Sequence, residues 1–245
     1  MSALADSLFL VMDTETTGID PAACKVVEFA WVLTDLVGPR AAGTTLVNPG
    51  CPIPPEASAV HHLVDADVAG EPTLDQVLAY LPKHLAGFNP AAFCAHNAAF
   101  DSAFLPGLRQ RPWLCTYRMA RRLMPDLPAY GNQYLRYALK LDAPEAQGLA
   151  AHRALADAYV SAALLRHLVA QIVGKDGWPQ EILALAKLLD QPLLLKTCGF
   201  GKHKGQPWAQ VPKSYLQWML GPGGMTDLDI DTKHTAQHYL KGGRP

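Results

Sequence analysis

Five apolar residues in unbroken succession, Leu8-Phe9-Leu10-Val11-Met12, run directly into Asp13-Thr14-Glu15-Thr16-Thr17-Gly18. An apolar run of that length reads as a strand buried on both faces, and a strand of that kind needs cover on each side. The turn residues from Asp13 to Asp20-Pro21 end it. Val26–Leu33 reads as a second strand and Thr44–Val47 as a shorter third, closed by Asn48-Pro49-Gly50. Three runs this close in sequence suit an antiparallel meander. The order then changes to helix and strand in alternation.

Cys51-Pro52-Ile53-Pro54-Pro55 is expected to be an extended loop. Leu74, Val77, Leu78 and Leu81 recur at helical spacing between Thr73 and Leu85. Ala91–Ala95 is a fourth strand, followed by a helix over roughly Ala98–Leu108, and Trp113–Cys115 a fifth. Helices are expected at Thr116–Leu123, Gln133–Leu139 and Arg153–Val173. The fold class is therefore α/β, a mixed five-stranded sheet flanked by helices. Gly174-Lys175-Asp176-Gly177 reads as a domain boundary. The expected division is a first domain over 1–174, a connecting segment with a helix over 175–190, and a small C-terminal domain over 191–245. In that last part a glycine-lysine loop precedes helical segments near Pro212–Leu220 and Thr226–Leu240.

Composition excludes several classes. With 49% hydrophobic and 18% charged residues, the 245-residue chain has the profile of a soluble globular protein. No apolar run approaches the ~20 residues of a membrane span, and the N-terminus lacks the form of a secretory signal, so no membrane and a cytoplasmic location are expected. The five scattered cysteines never form C-x-x-C, which indicates neither a zinc site nor a disulfide framework. A net charge of −1 argues against coating nucleic acid by bulk electrostatics. It leaves room for local basic tracks. Arg118, Arg121 and Arg122 share one helical face, and Lys196, Lys202 and Lys204 cluster later; each group reads as a phosphate track or as an ordinary solvated face.

Three segments carry chemistry. If the first strand stays extended, Asp13 and Glu15 point to one side, roughly 7 Å apart at their Cα atoms. A D-x-E pair alone is weak, but carboxylates at the end of a buried strand call for a compensating cation. Asn97 and Asp101, in His96-Asn97-Ala98-Ala99-Phe100-Asp101, read alone as a helix cap and a dipole partner. Their alternative is that Asp101 turns back to join the acids. His152 and Asp157 are five residues apart, about 500° of helical rotation, so both cannot face one point from a regular helix. The spacing works with Asp157 on the helix and His152 in the turn before it; a solvent-exposed histidine is the other reading. Four carboxylates from three element ends plus one histidine match what two-metal phosphodiester hydrolysis requires. Hard divalent ions take such oxygen ligands.

D-T-E-T-T-G, H-N-A-A-F-D and H-R-A-L-A-D, in that order, resemble the three motifs of the DEDDh 3′→5′ exonuclease superfamily over roughly residues 6–173. Phe200–Pro207, Val211–Trp218 and Cys115–Leu123 extend the likeness, over almost the whole chain, to the exodeoxyribonuclease X branch. The resemblance implies a ribonuclease-H-like fold and metal ligation by Asp13, Glu15, Asp101 and Asp157. Asp13 would bridge two magnesium ions, for which manganese is expected to substitute, and His152 would act as general base. Thr14, His61 and Asn97 are carried over as contacts to the terminal nucleotide. The family often has glycine after the loop histidine, where this chain has His62, and His61 is taken as the nearer of the two. The implied partner is DNA with a free 3′ end, with a homodimer and repair or replication proteins as further partners. Two rivals stand beside this: an RNase T-like or oligoribonuclease-like exoribonuclease, since the motifs do not read the sugar, and a non-catalytic DNA-binding module.

Overall fold

The structure, a computed structural model, describes residues 2–150, 152–226 and 228–244. It contains two compact units, one up to Leu189 and one from Asp190 onward.

In the first unit five strands form one sheet: β1 (Phe9–Thr16), β2 (Val26–Thr34), β3 (Pro39–Leu46), β4 (Ala92–Ala95) and β5 (Trp113–Cys115). Their order is β3-β2-β1-β4-β5, with β1 central. The first three strands pair antiparallel, and β4 runs parallel to both β1 and β5. The sheet is mixed, as expected. Because β1 and β4 are parallel, their carboxyl ends lie at the same edge, and that edge receives Asp13, Glu15 and the turn after β4.

Alternation along β1 sorts its side chains between two cores. Phe9 and Val11 pack with Ala30 and Val32 of β2 against a long helix, α7 (Ala154–Ile172); Leu10 and Met12 pack with Phe29, Trp31 and Leu33 on the opposite face. Asp13 and Glu15 continue the Phe9–Val11 face, so the acids emerge on the side that α7 covers.

The helices before that cover are α1 (Pro55–His61), α2 (Asp65–Val68) and α3 (Leu74–His84), followed after β4 by α4 (Ala98–Phe104). After β5 come α5 (Thr116–Leu123), α6 (Asn132–Ala138), α7 (Ala154–Ile172) and α8 (Ile182–Asp190). Ala154, Ala158 and Ala162, four apart and fully buried, let α7 lie close to the sheet.

Four local expectations change. The proline-rich stretch is extended only to Pro54; Pro55 opens α1, a position where its missing N–H is no loss. The short α1 and α2 lack a readable apolar period. α4 stops at Phe104, because Leu105 precedes Pro106 and the helical region is disfavoured there. β3 is twice its expected length: Pro39 to Gly43 have poor strand propensity, yet pairing with β2 holds them. Gly43 is required in that pair, since a Cβ there would meet the Trp31 ring at 2.9 Å. Lastly, Ile182, Leu185, Ala186 and Leu189 of α8 join the α7 core. Residues 175–189, expected to connect domains, thus belong to the first unit.

The second unit holds α9 (Lys213–Leu220) and α10 (Ile230–Leu240). Its core gathers Cys198, Trp208, Val211, Leu216, Met219, Ala236 and Tyr239. α10 begins later than expected, capped by Asp229, whose carboxylate accepts from the N–H groups of Asp231 and Thr232. Among the described residues no helix is long and apolar enough to cross a membrane.

Candidate active site

β1 stays extended through Thr16, so Asp13 and Glu15 share a face as the i, i+2 spacing requires. Opposite Glu15 in the ladder stands Glu28 of β2. Burial and repulsion act together on these acids. Asp13 is held well above the carboxylate range by burial first, then by the charges of Asp101, Glu15, Asp157 and Glu28. Glu15 is pushed up to about 8 by burial, then by Asp157, Glu28 and Asp101, while Arg153 pulls the other way. Side chains from β1, α4 and α7 therefore feel one another's charge in one place.

Asp101, 3% exposed, does turn toward the sheet rather than serve the helix dipole. Its Oδ1 accepts from the Thr14 N–H at 3.1 Å and from the Thr14 hydroxyl at 2.9 Å. Burial raises it to about 7 against the pull of those bonds. Thr14, expected at the nucleotide, is buried and engaged in orienting Asp101. Asn97 precedes α4 in the left-handed region (φ 67°, ψ 51°), and its side chain makes no capping hydrogen bond. The cap reading of Asn97 fails, and its exposed amide stands beside the acids' edge of the sheet.

His152 and Asp157 divide between turn and helix as their spacing demands. Arg153 is the extended cap residue of α7, and His152 before it takes φ 59° with its side chain exposed. Asp157 reaches back to accept the His152 N–H at 2.9 Å, and its other oxygen accepts from the Gln133 amide at 2.7 Å.

His61 ends α1 almost fully buried, with Nδ1 accepting the Leu63 N–H at 3.1 Å and Nε2 without a hydrogen-bond partner. Burial holds its pKa down, against the Thr16 carbonyl and Glu28. His62 is exposed and takes φ 62°, the conformation glycine adopts without cost, which accounts for a glycine preference at that position. Of the two, His61 is the one turned toward β1.

Two residues outside the expected set, Glu28 and His96, shape the site. Glu28 accepts two bonds from the Arg153 guanidinium, at 3.0 and 2.9 Å, and one from the Ala154 N–H at 3.0 Å. It thereby caps α7 from another strand and fixes the turn that carries His152. A lone glutamate in an otherwise apolar strand, Val26-Val27-Glu28-Phe29, was the available signal. His96 Nε2 donates to the Tyr130 carbonyl at 2.8 Å while Nδ1 accepts from the Thr116 hydroxyl at 2.9 Å, with its pKa lowered by burial to about 4. The arginine face of α5 divides: Arg118 donates to the Leu189 carbonyl, and Arg121 lies over the rings of Tyr117 and Tyr130. Arg118 thus serves the packing of α8.

These acids supply only oxygen donors, in a place where burial and mutual repulsion favour neutralisation, which suits a hard divalent cation. Among the described residues no three side chains are already closed into a metal cage. Asp101 and Asp157 are turned onto hydrogen-bond donors.

An RNase T-type exonuclease model matches residues 10–165. Exodeoxyribonuclease 10 of Escherichia coli K12 is 32% identical over 234 residues, covering 94% of this chain and 98% of that protein. The DNA polymerase III epsilon subunit of Treponema pallidum is 29% identical over 180 residues, 69% of this chain and 80% of that one. Among solved structures, exonuclease X in complex with 5′ overhanging duplex DNA aligns at 34% identity with a TM-score of 0.62, over 73% of this chain and 98% of that one. The fold is that of the ribonuclease-H-like exonucleases. By these matches the chain belongs to the exonuclease family, a nuclease that hydrolyses phosphodiester bonds within a family dependent on divalent metal ions.

Proposed function

We propose that the protein removes nucleotides one at a time from DNA 3′ ends, using two magnesium ions held by Asp13, Glu15, Asp101 and Asp157. The observation that carries this reading is the meeting of acids from β1, α4 and α7 at one sheet edge, each raising the pKa of Asp13. Bound divalent ions would activate water and neutralise the scissile phosphate. His152, exposed on its turn, takes a proton from the attacking water. The water oxygen bonds to phosphorus, the P–O3′ bond breaks, and the departing O3′ takes a proton from solvent to leave the strand with a 3′ hydroxyl. The product is a nucleoside 5′-monophosphate. His61 and Asn97 hold the terminal nucleotide, and Thr14 acts through Asp101.

The choice of DNA is supported by the full-length likeness to exodeoxyribonuclease 10, which includes the C-terminal part of the chain. The polymerase III relative supports work beside DNA synthesis; repair and a cytoplasmic location belong to the same proposal. Strands of one sequence in DNA and RNA form, labelled at the 5′ end, test the reading directly. Magnesium-dependent shortening of DNA from its 3′ end is expected, at least tenfold faster than of RNA. Equal or faster RNA trimming would overturn the substrate, and no shortening of either would overturn the activity.

A further inference from the structure

The stretches Phe200–Pro207 and Pro212–Trp218 take no part in the chemistry above, yet they meet within the second unit. Thr197 bridges Pro207, and Cys198 exchanges backbone bonds with Gln206 and Gly205 at 2.8 Å, pinching residues 198–206 into a closed loop. Gly201, at φ 61°, passes so near α9 that a Cβ would lie 2.9 Å from the Tyr215 hydroxyl. The buried Trp208 plugs the unit beneath. The loop is therefore seated on the helix rather than being a mobile hairpin.

Loop and helix together carry a ladder of rings, with Trp218 exposed and His203 and Tyr215 half-buried. His203 meets Tyr215 edge-on at 4.5 Å, and Tyr215 meets Trp218 at 5.3 Å and 34°. The Lys202 ammonium stands 5.0 Å from the Tyr215 ring centre. These side chains, with Pro212 and Ser214, line a cavity of about 530 Å³. α9 buries Leu216 and Met219, whereas Trp218 is 51% exposed, so core packing does not account for the indole. Charge points the same way. From Asp190 on, the chain has seven lysines and arginines against four aspartates and no glutamate, in a protein of net charge −1. The Asp229 carboxylate caps α10 and that of Asp231 accepts the Leu193 N–H, and among the described residues no carboxylate lines the cavity.

We propose that this pocket is a second nucleic-acid site, stacking an unpaired base on Tyr215 and Trp218 while Lys202 draws the adjoining phosphate. Exposed rings beside cations are the elements from which sequence-tolerant single-strand sites are built, since every base offers a π face. An enzyme that must accept any sequence needs that tolerance. A lining that offers the Lys202 ammonium beside aromatic rings suits a polyanion carrying flat bases. The proposal rests on the nuclease reading only in assuming that the chain handles nucleic acid.

Full-length protein in EDTA, titrated against fluorescein-labelled oligothymidylate and followed by anisotropy, tests it. Trp218→Ala should weaken binding by about fivefold or more, and Trp218→Phe should restore most of the loss. Lys202→Gln should lower the slope of log affinity against log salt by roughly 0.7. Hydrolysis of the p-nitrophenyl ester of thymidine 5′-phosphate, too small to reach a second site, should stay unchanged in all three variants. Unaltered oligonucleotide affinity in Trp218→Ala would overturn the proposal and leave the pocket as a protein-docking surface. Failure of the wild type to hydrolyse the ester would instead count against the nuclease reading, with the binding titration still deciding the pocket.

Discussion

Asp13 and Glu15 stand on a strand laddered to β2 at both positions, whereas Asn97 and His152 each stand on one residue of left-handed backbone before a helix. The strand side is stiff and its charges cannot move apart, so their repulsion is stored as raised pKa values. The turn side stores its cost in the backbone instead, on the order of 1 kcal/mol or more for each such residue. Cross-links hold it in place: Glu28 to Arg153, Asp157 to the His152 N–H, and His96 between Thr116 and Tyr130. The side proposed to hold metal is thus fixed by regular structure, and the side proposed to carry the base by strained turns tied down one at a time.

The largest expected effect tests the stiff side. Asp13→Asn removes the acid that burial and four neighbouring carboxylates all push upward and should lower kcat by about 10³-fold or more, an effect of the size seen when central electrostatic groups are lost. Because it relieves burial of an unpaired charge, the same variant should unfold at a higher temperature than wild type in EDTA. Addition of magnesium, which stabilises whatever binds it in the native state, should raise the wild-type Tm and leave the variant nearly still. A lower Tm for the variant in EDTA would show that Asp13 is not under repulsion.

On the turn side, His152→Ala should reduce kcat by about 10²–10⁴-fold, the usual range for acid–base catalysis. The magnesium-dependent gain in Tm should survive, which separates a base from a ligand. Loss of that gain would place His152 among the ligands and erase the division between the two sides.

Glu28→Gln probes the tie itself. Removing the charge leaves Arg153 without its charged partner and loosens the turn before α7 that carries His152, while Asp13, Glu15 and Asp101 keep their hold on other elements. We expect kcat to fall about tenfold with KM nearly constant. The stability loss should be about 1–2 kcal/mol, discounted because Arg153 is 39% exposed. A KM change without a kcat change would assign Glu28 to substrate binding.

The same asymmetry governs how much the sequence discloses. Period-two alternation after a buried run places Asp13 and Glu15 on one face without further information, and five-residue spacing places His152 off its helix. Tertiary causes were invisible. Nothing local shows that Thr14 faces Asp101, that Asn97 leaves α4 uncapped, or that Glu28 reaches Ala154 from across 126 positions. β3 was underestimated for a similar reason, its residues being held by a partner strand rather than by propensity. Gly174–Gly177 looked like a boundary because turn composition marks a change of direction, while α8 returns to the first core through an apolar face whose target lies elsewhere in the chain.

The smallest effect concerns His96, the internal brace of the turn after β4. Its folded pKa of about 4 lies below the ordinary value of 6.5, because burial disfavours the charged ring, against the pull of the Tyr130 carbonyl. Between those values the unfolded chain binds the extra proton and the native state does not, so stability falls as pH drops from 6.5 toward 4 and no further below it. Buried carboxyls with raised pKa act in the opposite sense over part of that window, and only a difference between variants isolates the histidine. His96→Gln keeps a donor toward Tyr130 and cannot titrate. Relative to it, wild type should lose about 2 kcal/mol between pH 6.5 and 4.5, read from urea unfolding at each pH. Parallel profiles would mean that the brace opens to water on that timescale, and the turn side would then be held by Glu28 and Asp157 alone.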